Sequence, residues 1–164
     1  MLSVIQRPLL STLPGYSGSN PEIINEFEAK WNESLDELFA KILPFGAEPD
    51  QFFTNHFKKE KLLSYTFEIT RKDSRNDLAS ITFVINKKAN LTSIKLLIKE
   101  IIERLNSNKL LSIELLNSNL NNITEAINKE SKLKIGSFIF DINYFLKSNK
   151  QKLTDVRKRR GGIV

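Results

Sequence analysis

Leu62-Leu63-Ser64-Tyr65-Thr66-Phe67-Glu68-Ile69-Thr70, then Ala79-Ser80-Ile81-Thr82-Phe83-Val84-Ile85-Asn86, then the stretch from Asn90 to Leu105 together decide the fold. The first segment alternates at period two, with Leu63, Tyr65, Phe67 and Ile69 on one face and Ser64, Thr66, Glu68 and Thr70 on the other. The second repeats the pattern, with Ala79, Ile81, Phe83 and Ile85 inward. Both carry the β-branched and aromatic residues that suit a pleated, half-buried surface. Between them Arg71 to Leu78 supplies eight mostly polar residues able to form their own turn hydrogen bonds, so an antiparallel hairpin is expected. From Asn90 the period becomes 3.6: Leu91, Ile94, Leu97, Ile98, Ile101, Ile102 and Leu105 form one stripe, opposite Lys95, Lys99, Glu100, Glu103 and Arg104. Asn90 or Thr92 is the expected N-cap. A two-stranded hairpin is marginal alone, so this helix should lie across its apolar face, with at least one more strand.

The predicted class is therefore α+β, a small antiparallel sheet packed against amphipathic helices. A chain of 164 residues is long enough for one good core and too short for two comfortable ones. With 40% hydrophobic and 27% charged residues the composition is that of a globular protein rather than a disordered one. The absence of Cys removes a disulfide framework, a thiolate nucleophile and Cys-ligated zinc, and suits a reducing, cytoplasmic setting. Arg7 and Pro8 interrupt the apolar N-terminal stretch before it becomes a signal core, and no run reaches the length of a membrane span. The usage of Lys, Asn and Ile would suit an AT-biased genome, archaeal or similar.

Residues 1–19 read as an N-terminal arm and linker, 20–146 as the α+β domain and 147–164 as a basic tail. Leu2 to Leu13 could be a short edge strand or a docking arm, and Pro8 argues against a central strand. Asn20-Pro21 predicts a helix start, and Ile24, Phe27, Trp31, Leu35, Leu38 and Ile42 predict one wide buried stripe ending near Leu43, before Pro44. Gln51 to Lys61 is ambiguous and holds His56, the only histidine. A further helix is expected from about Ser112 to Asn128, then a third strand from Leu133 to Asp141 broken at Gly136, with Asp141 capping a last short helix.

From Lys147 onward seven basic residues face one acid, a net of +6 that equals the formal charge of the whole chain. The body is thus close to neutral. Arg157, Lys158, Arg159 and Arg160 are the candidate contacts to an anionic membrane or to nucleic acid, while the plainer reading is a solvated tail. A nucleic-acid- or ribosome-associated protein would use this tail together with Lys58, Lys59 and Lys61.

No catalytic motif is present: no nucleophile elbow, GxGxxG, phosphate loop or HExxH spacing. His56 beside Asn55 and Lys58 reads as a surface residue, and Asp73 and Asp77 flank a turn instead of converging on a pocket. No enzyme activity, metal or cofactor is expected.

The order helix, strand, polar turn, strand, long helix, and in particular Ser64 to Phe67 through Asp73-Ser74-Arg75-Asn76-Asp77-Leu78-Ala79-Ser80 into Ile85, resembles the small α/β modules of the longin and roadblock type, related to parts of DENN-type regulators. The resemblance spans roughly Asn20 to Asn128 and implies a five-stranded sheet. It further implies a non-enzymatic scaffold that dimerises through a helix or sheet edge and binds small GTPases or membrane-trafficking assemblies. No GTPase-contact residue carries over from it. On physical grounds the candidate partner-binding residues are Arg71, Asp73, Arg75, Asn76 and Asp77, where charged groups gather at the sheet end, together with the polar face of the central helix.

Overall fold

The chain folds, in a computed structural model describing residues 5–14, 21–24, 35–57, 60–71, 76–86 and 88–150, around a strand buried along nearly its whole length. The elements are β1 (Ile5–Leu13), β2 (Glu22–Ile23), α1 (Leu35–Ile42), β3 (Gln51–Phe57), β4 (Glu60–Thr70), β5 (Asn76–Ile85), α2 (Leu91–Ser107), α3 (Ile113–Lys129), β6 (Lys132–Ile135), β7 (Phe138–Asp141) and a helix over 142–150, α4. Strands β2-β1-β5-β4-β3 form one antiparallel sheet in that order, and β6 and β7 form a separate hairpin. The α+β class is as expected, and the sheet holds more strands than periodicity alone revealed.

The predicted hairpin is β4 and β5, with Leu63 opposite Phe83, Tyr65 opposite Ile81 and Phe67 opposite Ala79. Its connection is shorter than expected. Asn76 pairs with Thr70 and Asp77 with Ile69, so Asn76, Asp77 and Leu78 belong to β5 rather than to the turn. The apolar face of the hairpin meets α2 and α3 in the larger core, through Ile94, Leu97, Ile101, Leu105, Leu116, Leu120 and Ile123. Asn90 caps α2, its side-chain oxygen accepting from Ser93 N at 3.3 Å, and Ser112 caps α3.

The opposite face of the hairpin, expected to be wet, is also buried. Ser64, Thr66, Ser80 and Thr82 are at most 1% exposed, and α1 lies over them. Leu38, Ile42 and Leu43 pack there on Leu9, Leu62, Leu78 and Val84. Hydroxyls are tolerated in such a place only when bonded. The Ser64 and Thr82 hydroxyls bond each other at 2.7 Å, Thr66 Oγ1 donates to the Glu48 carbonyl at 2.7 Å, and Ser80 Oγ donates to the Ile42 carbonyl at 2.7 Å. Asn55 Nδ2 donates to the Lys41 carbonyl at 2.9 Å. The last carbonyls of a helix have no partner within it. Here the sheet supplies two of them, which seats α1.

Three expectations need correction. The N-terminal segment is an interior strand, not an arm or an edge: β1 lies between β2 and β5, and its register with β5 skips a residue between Gln6 and Pro8. That irregularity lets the ladder accommodate a Pro without an N–H. Next, no helix starts at Pro21, because Glu22 and Ile23 pair with Thr12 and Ser11 as a strand. Ile24 then joins the α2–α3 core while Leu38 and Ile42, on α1, pack into the core on the other face, so the proposed stripe is divided between two cores. Phe27 and Trp31 lie outside the described residues. Finally, the single strand from Leu133 to Asp141 folds back at Gly136, whose φ of 59° is left-handed, and becomes the β6–β7 hairpin. Asp141 caps α4 as expected, its Oδ1 accepting from Tyr144 N at 3.0 Å.

Two substitutions test this arrangement by urea denaturation. Leu10→Ala should cost about 2–5 kcal/mol, because Leu10 is fully buried in an interior strand, whereas truncating a residue on a loose arm would cost almost nothing. Ser80→Ala should cost about 1–3 kcal/mol by removing the donor to the Ile42 carbonyl, where a solvent-facing serine would be neutral.

Candidate protein-interaction surface

A sheet of this order has two edges. One is β2, two residues long and paired only with Ser11 and Thr12 of the longer β1; the other is β3, seven residues, Gln51-Phe52-Phe53-Thr54-Asn55-His56-Phe57. Exposed edges present unpaired N–H and C=O groups that template a further strand, and proteins usually block them with charge, Pro or bulges inside the strand. β3 holds no Lys, Arg, Asp, Glu or Pro. A two-residue connection joins Phe57 to Glu60, the pair that closes the β3–β4 hairpin. In an antiparallel ladder inward and outward backbone groups alternate, so those of Phe52, Thr54 and His56 face away from β4. The His56 carbonyl accordingly accepts from Lys41 Nζ of α1, and Thr54 is exposed.

The start of β3 is held firmly. Asp50 has a left-handed φ of 64°, which Asp tolerates better than most residues. Asp50 N and Gln51 N both reach Thr66, at its carbonyl (2.7 Å) and its Oγ1 (3.2 Å). The Asp50 carboxylate accepts from Tyr65 Oη at 2.8 Å and from Lys99 Nζ of α2 at 3.1 Å. These two bonds, Tyr65's first, hold Asp50 below the usual carboxylate range. Burial, then the bond to Asp50, pushes the Tyr65 phenol well above its ordinary value, and the bond to Asp50 raises Lys99. One turn before, Lys95 lies 5.7 Å over the ring of Phe52, which itself packs on Tyr65 at 4.6 Å. The polar face of the central helix, singled out from the sequence, thus borders the β3 edge, and Leu96 beside Lys95 is exposed.

A second concave surface lies at the far end of the β4–β5 hairpin. A groove of about 700 Å3 is lined by Glu22, Ile24, Thr70, Arg71, Ser112, Ile113 and Glu114. Of the predicted partner-binding residues it contains Arg71. Arg71 is half-buried, and its Nε pairs with Asp77, which is wholly buried beneath the sheet face and so cannot itself be presented to a partner. Asn76 is exposed and its Oδ1 accepts from Thr70 Oγ1 at 2.9 Å. Asp73, Arg75, Lys58 and Lys59 lie outside the described residues, as do Arg157, Lys158, Arg159 and Arg160. His56 is exposed on β3.

Among the described residues no group of three His, Cys, Asp or Glu side chains could hold a metal ion, and no helix is long and apolar enough to cross a membrane. The β3 edge escaped the sequence reading. Its signal was the run Phe52-Phe53-Thr54, weakened by Asn55 and His56, with a charged turn in place of the Asn-Gly that marks tight hairpins.

The Tyr65 bond makes stability depend on alkaline pH. A phenol whose folded pKa is raised contributes stability that is complete below its unfolded value, near 10, and is lost as pH rises toward the folded value. The urea midpoint of the parent should therefore fall more steeply above about pH 10 than that of Tyr65→Phe, which lacks the phenol's share of the alkaline loss and keeps that of Lys99. Equal slopes would mean that the phenol titrates freely in the folded state.

Set against profiles of known protein families and against curated proteins, the sequence matches none.

Proposed function

We propose that the protein is a non-enzymatic protein-interaction module of the longin and roadblock type, a cytoplasmic scaffold subunit that engages a small GTPase, a membrane-trafficking assembly or a homologous module, including a second copy of itself. The observation that carries this reading is the β3 edge: seven residues without charge or Pro, braced by Asp50, Tyr65 and Lys99, with Thr54 exposed and no further strand beyond it among the described residues. Strand addition at such an edge draws affinity from main-chain hydrogen bonds and specificity from the flanking side chains, here Phe52, Lys95 and Leu96. The five-stranded sheet with helices over both faces supports the resemblance, which called for that strand number. The groove beside Arg71 offers a second contact, with Glu22 and Glu114 around one cation and Ile24 and Ile113 beneath an approaching apolar group.

Thr54→Pro separates partner binding from folding. Thr54 turns its N–H away from β4, so Pro there removes a donor to an added strand without breaking the existing ladder. In tagged pull-downs from source-cell lysate, the parent should recover small GTPases or trafficking subunits, and Thr54→Pro should lose most of them while keeping the parental unfolding midpoint. Undiminished recovery by Thr54→Pro sinks the edge as the recognition element. Recovery of ribosomal or nucleic-acid-bound proteins alone, released by raised salt, would favour the basic tail instead.

A further inference from the structure

Few large apolar side chains among the described residues are left in solvent, and two of them sit in the C-terminal unit: Ile139 on β7, 58% exposed, and Tyr144 on α4, 72% exposed. Neither is a packing failure, since their neighbours Leu133, Phe140 and Ile142 are buried in the main core and Phe145 packs edge-on to Phe140 at 5.4 Å. The hairpin register explains what surrounds them. Lys134 lies directly opposite Ile139, and Lys132 opposite Asp141, so one exposed face carries Lys132, Lys134, Ile139 and Asp141. Asp141, at the end of that face, also begins α4, its Oδ1 accepting from Tyr144 N. Lys147, one turn on from Tyr144, shares its exposed helix face. Beyond Lys147 the sequence adds six more basic residues and one acid.

We propose that this face docks on an anionic phospholipid bilayer, with Ile139 and Tyr144 entering the headgroup boundary and Lys132, Lys134 and Lys147 meeting lipid phosphates. The two kinds of contact are what a peripheral surface needs: charge brings it to the membrane and apolar contact holds it there. Lysine stems bury along the boundary while their ammonium groups stay hydrated, and a tyrosine ring suits the same depth. An aliphatic side chain opposite Lys134 on the face it shares with Lys132 distinguishes a bilayer from nucleic acid, which would draw on the charges and the tyrosine ring but has little to gain from Ile139.

The test is co-sedimentation of the full chain with vesicles of phosphatidylcholine, alone or mixed with phosphatidylserine. The chain should pellet with the mixed vesicles and not with the neutral ones. Ile139→Ser combined with Tyr144→Ser leaves the charge unchanged and should lower partitioning about tenfold. Lys132→Gln combined with Lys134→Gln should lower it by about fivefold per lysine. All four side chains are exposed, and parental circular dichroism and unfolding midpoints would verify that the folds are intact. No pelleting on the anionic vesicles overturns the proposal. So does parental pelleting by the Ile139 and Tyr144 variant, which would assign the attraction to the tail's charge, or binding to duplex DNA or RNA without binding to vesicles.

Discussion

The pairing of β1 with β5 is the interaction on which the remaining structure depends. Strand β5 is buried from Asp77 to Ile85, with β4 on one side and β1 on the other. The β4 contact is local and easily closed. The β1 contact joins Leu10 to Ile81 and Pro8 to Phe83, residues far apart in the sequence, so it carries a loop-closure cost that only burial can offset. Leu9 and Leu10, alternating across β1, supply that burial on both faces at once: Leu9 to the core under α1, Leu10 to the core under α2 and α3.

A sheet covered on both faces has only its edges left for recognition. At one edge β2 covers only the end of β1, with Ile24 N adding one more bond to the Leu10 carbonyl. At the other, β3 is longer, uncharged and rigidly started. The Asp50 carboxylate ties the loop before β3 to the sheet through Tyr65 and to the central helix through Lys99, so three elements meet at one side chain. An edge held in one geometry loses little further entropy when a partner strand adds to it, which is the advantage of a preorganised surface.

The sequence was most legible where a local period met one buried face. The α2 stripe from Ile94 to Leu105 is buried as read, and the Asn90 and Asp141 caps follow from side chains that bond their own next turn. It was least legible where small polar residues are buried. Ser64, Thr66, Ser80 and Thr82 alternate with apolar neighbours as a wet face would, and nothing local announces that the ends of α1 and its loop will come to meet them. Pro8 misled for a similar reason, since a register irregularity, invisible in one dimension, removes the conflict between Pro and an interior strand. The candidate turn residues were divided likewise: Arg71 reaches a groove, while Asp77 is drawn into the sheet because its pairing with Ile69 continues the ladder.

What the sequence by itself determined is therefore the α+β class, the β4–β5 hairpin, the amphipathic helices α2 and α3 and the charge gathered at the C-terminal end. All of these depend on neighbours within a turn or two, whose periodicity and propensity are written into the chain. Only the tertiary structure decided that β1 lies between β2 and β5, that both sheet faces are covered, that β3 ends the strand order among the described residues and that Ile139 and Tyr144 stay exposed. Each of these is set by which distant segment arrives to bury or bond a surface, and that competition is settled by the free energy of the whole fold rather than by any local pattern.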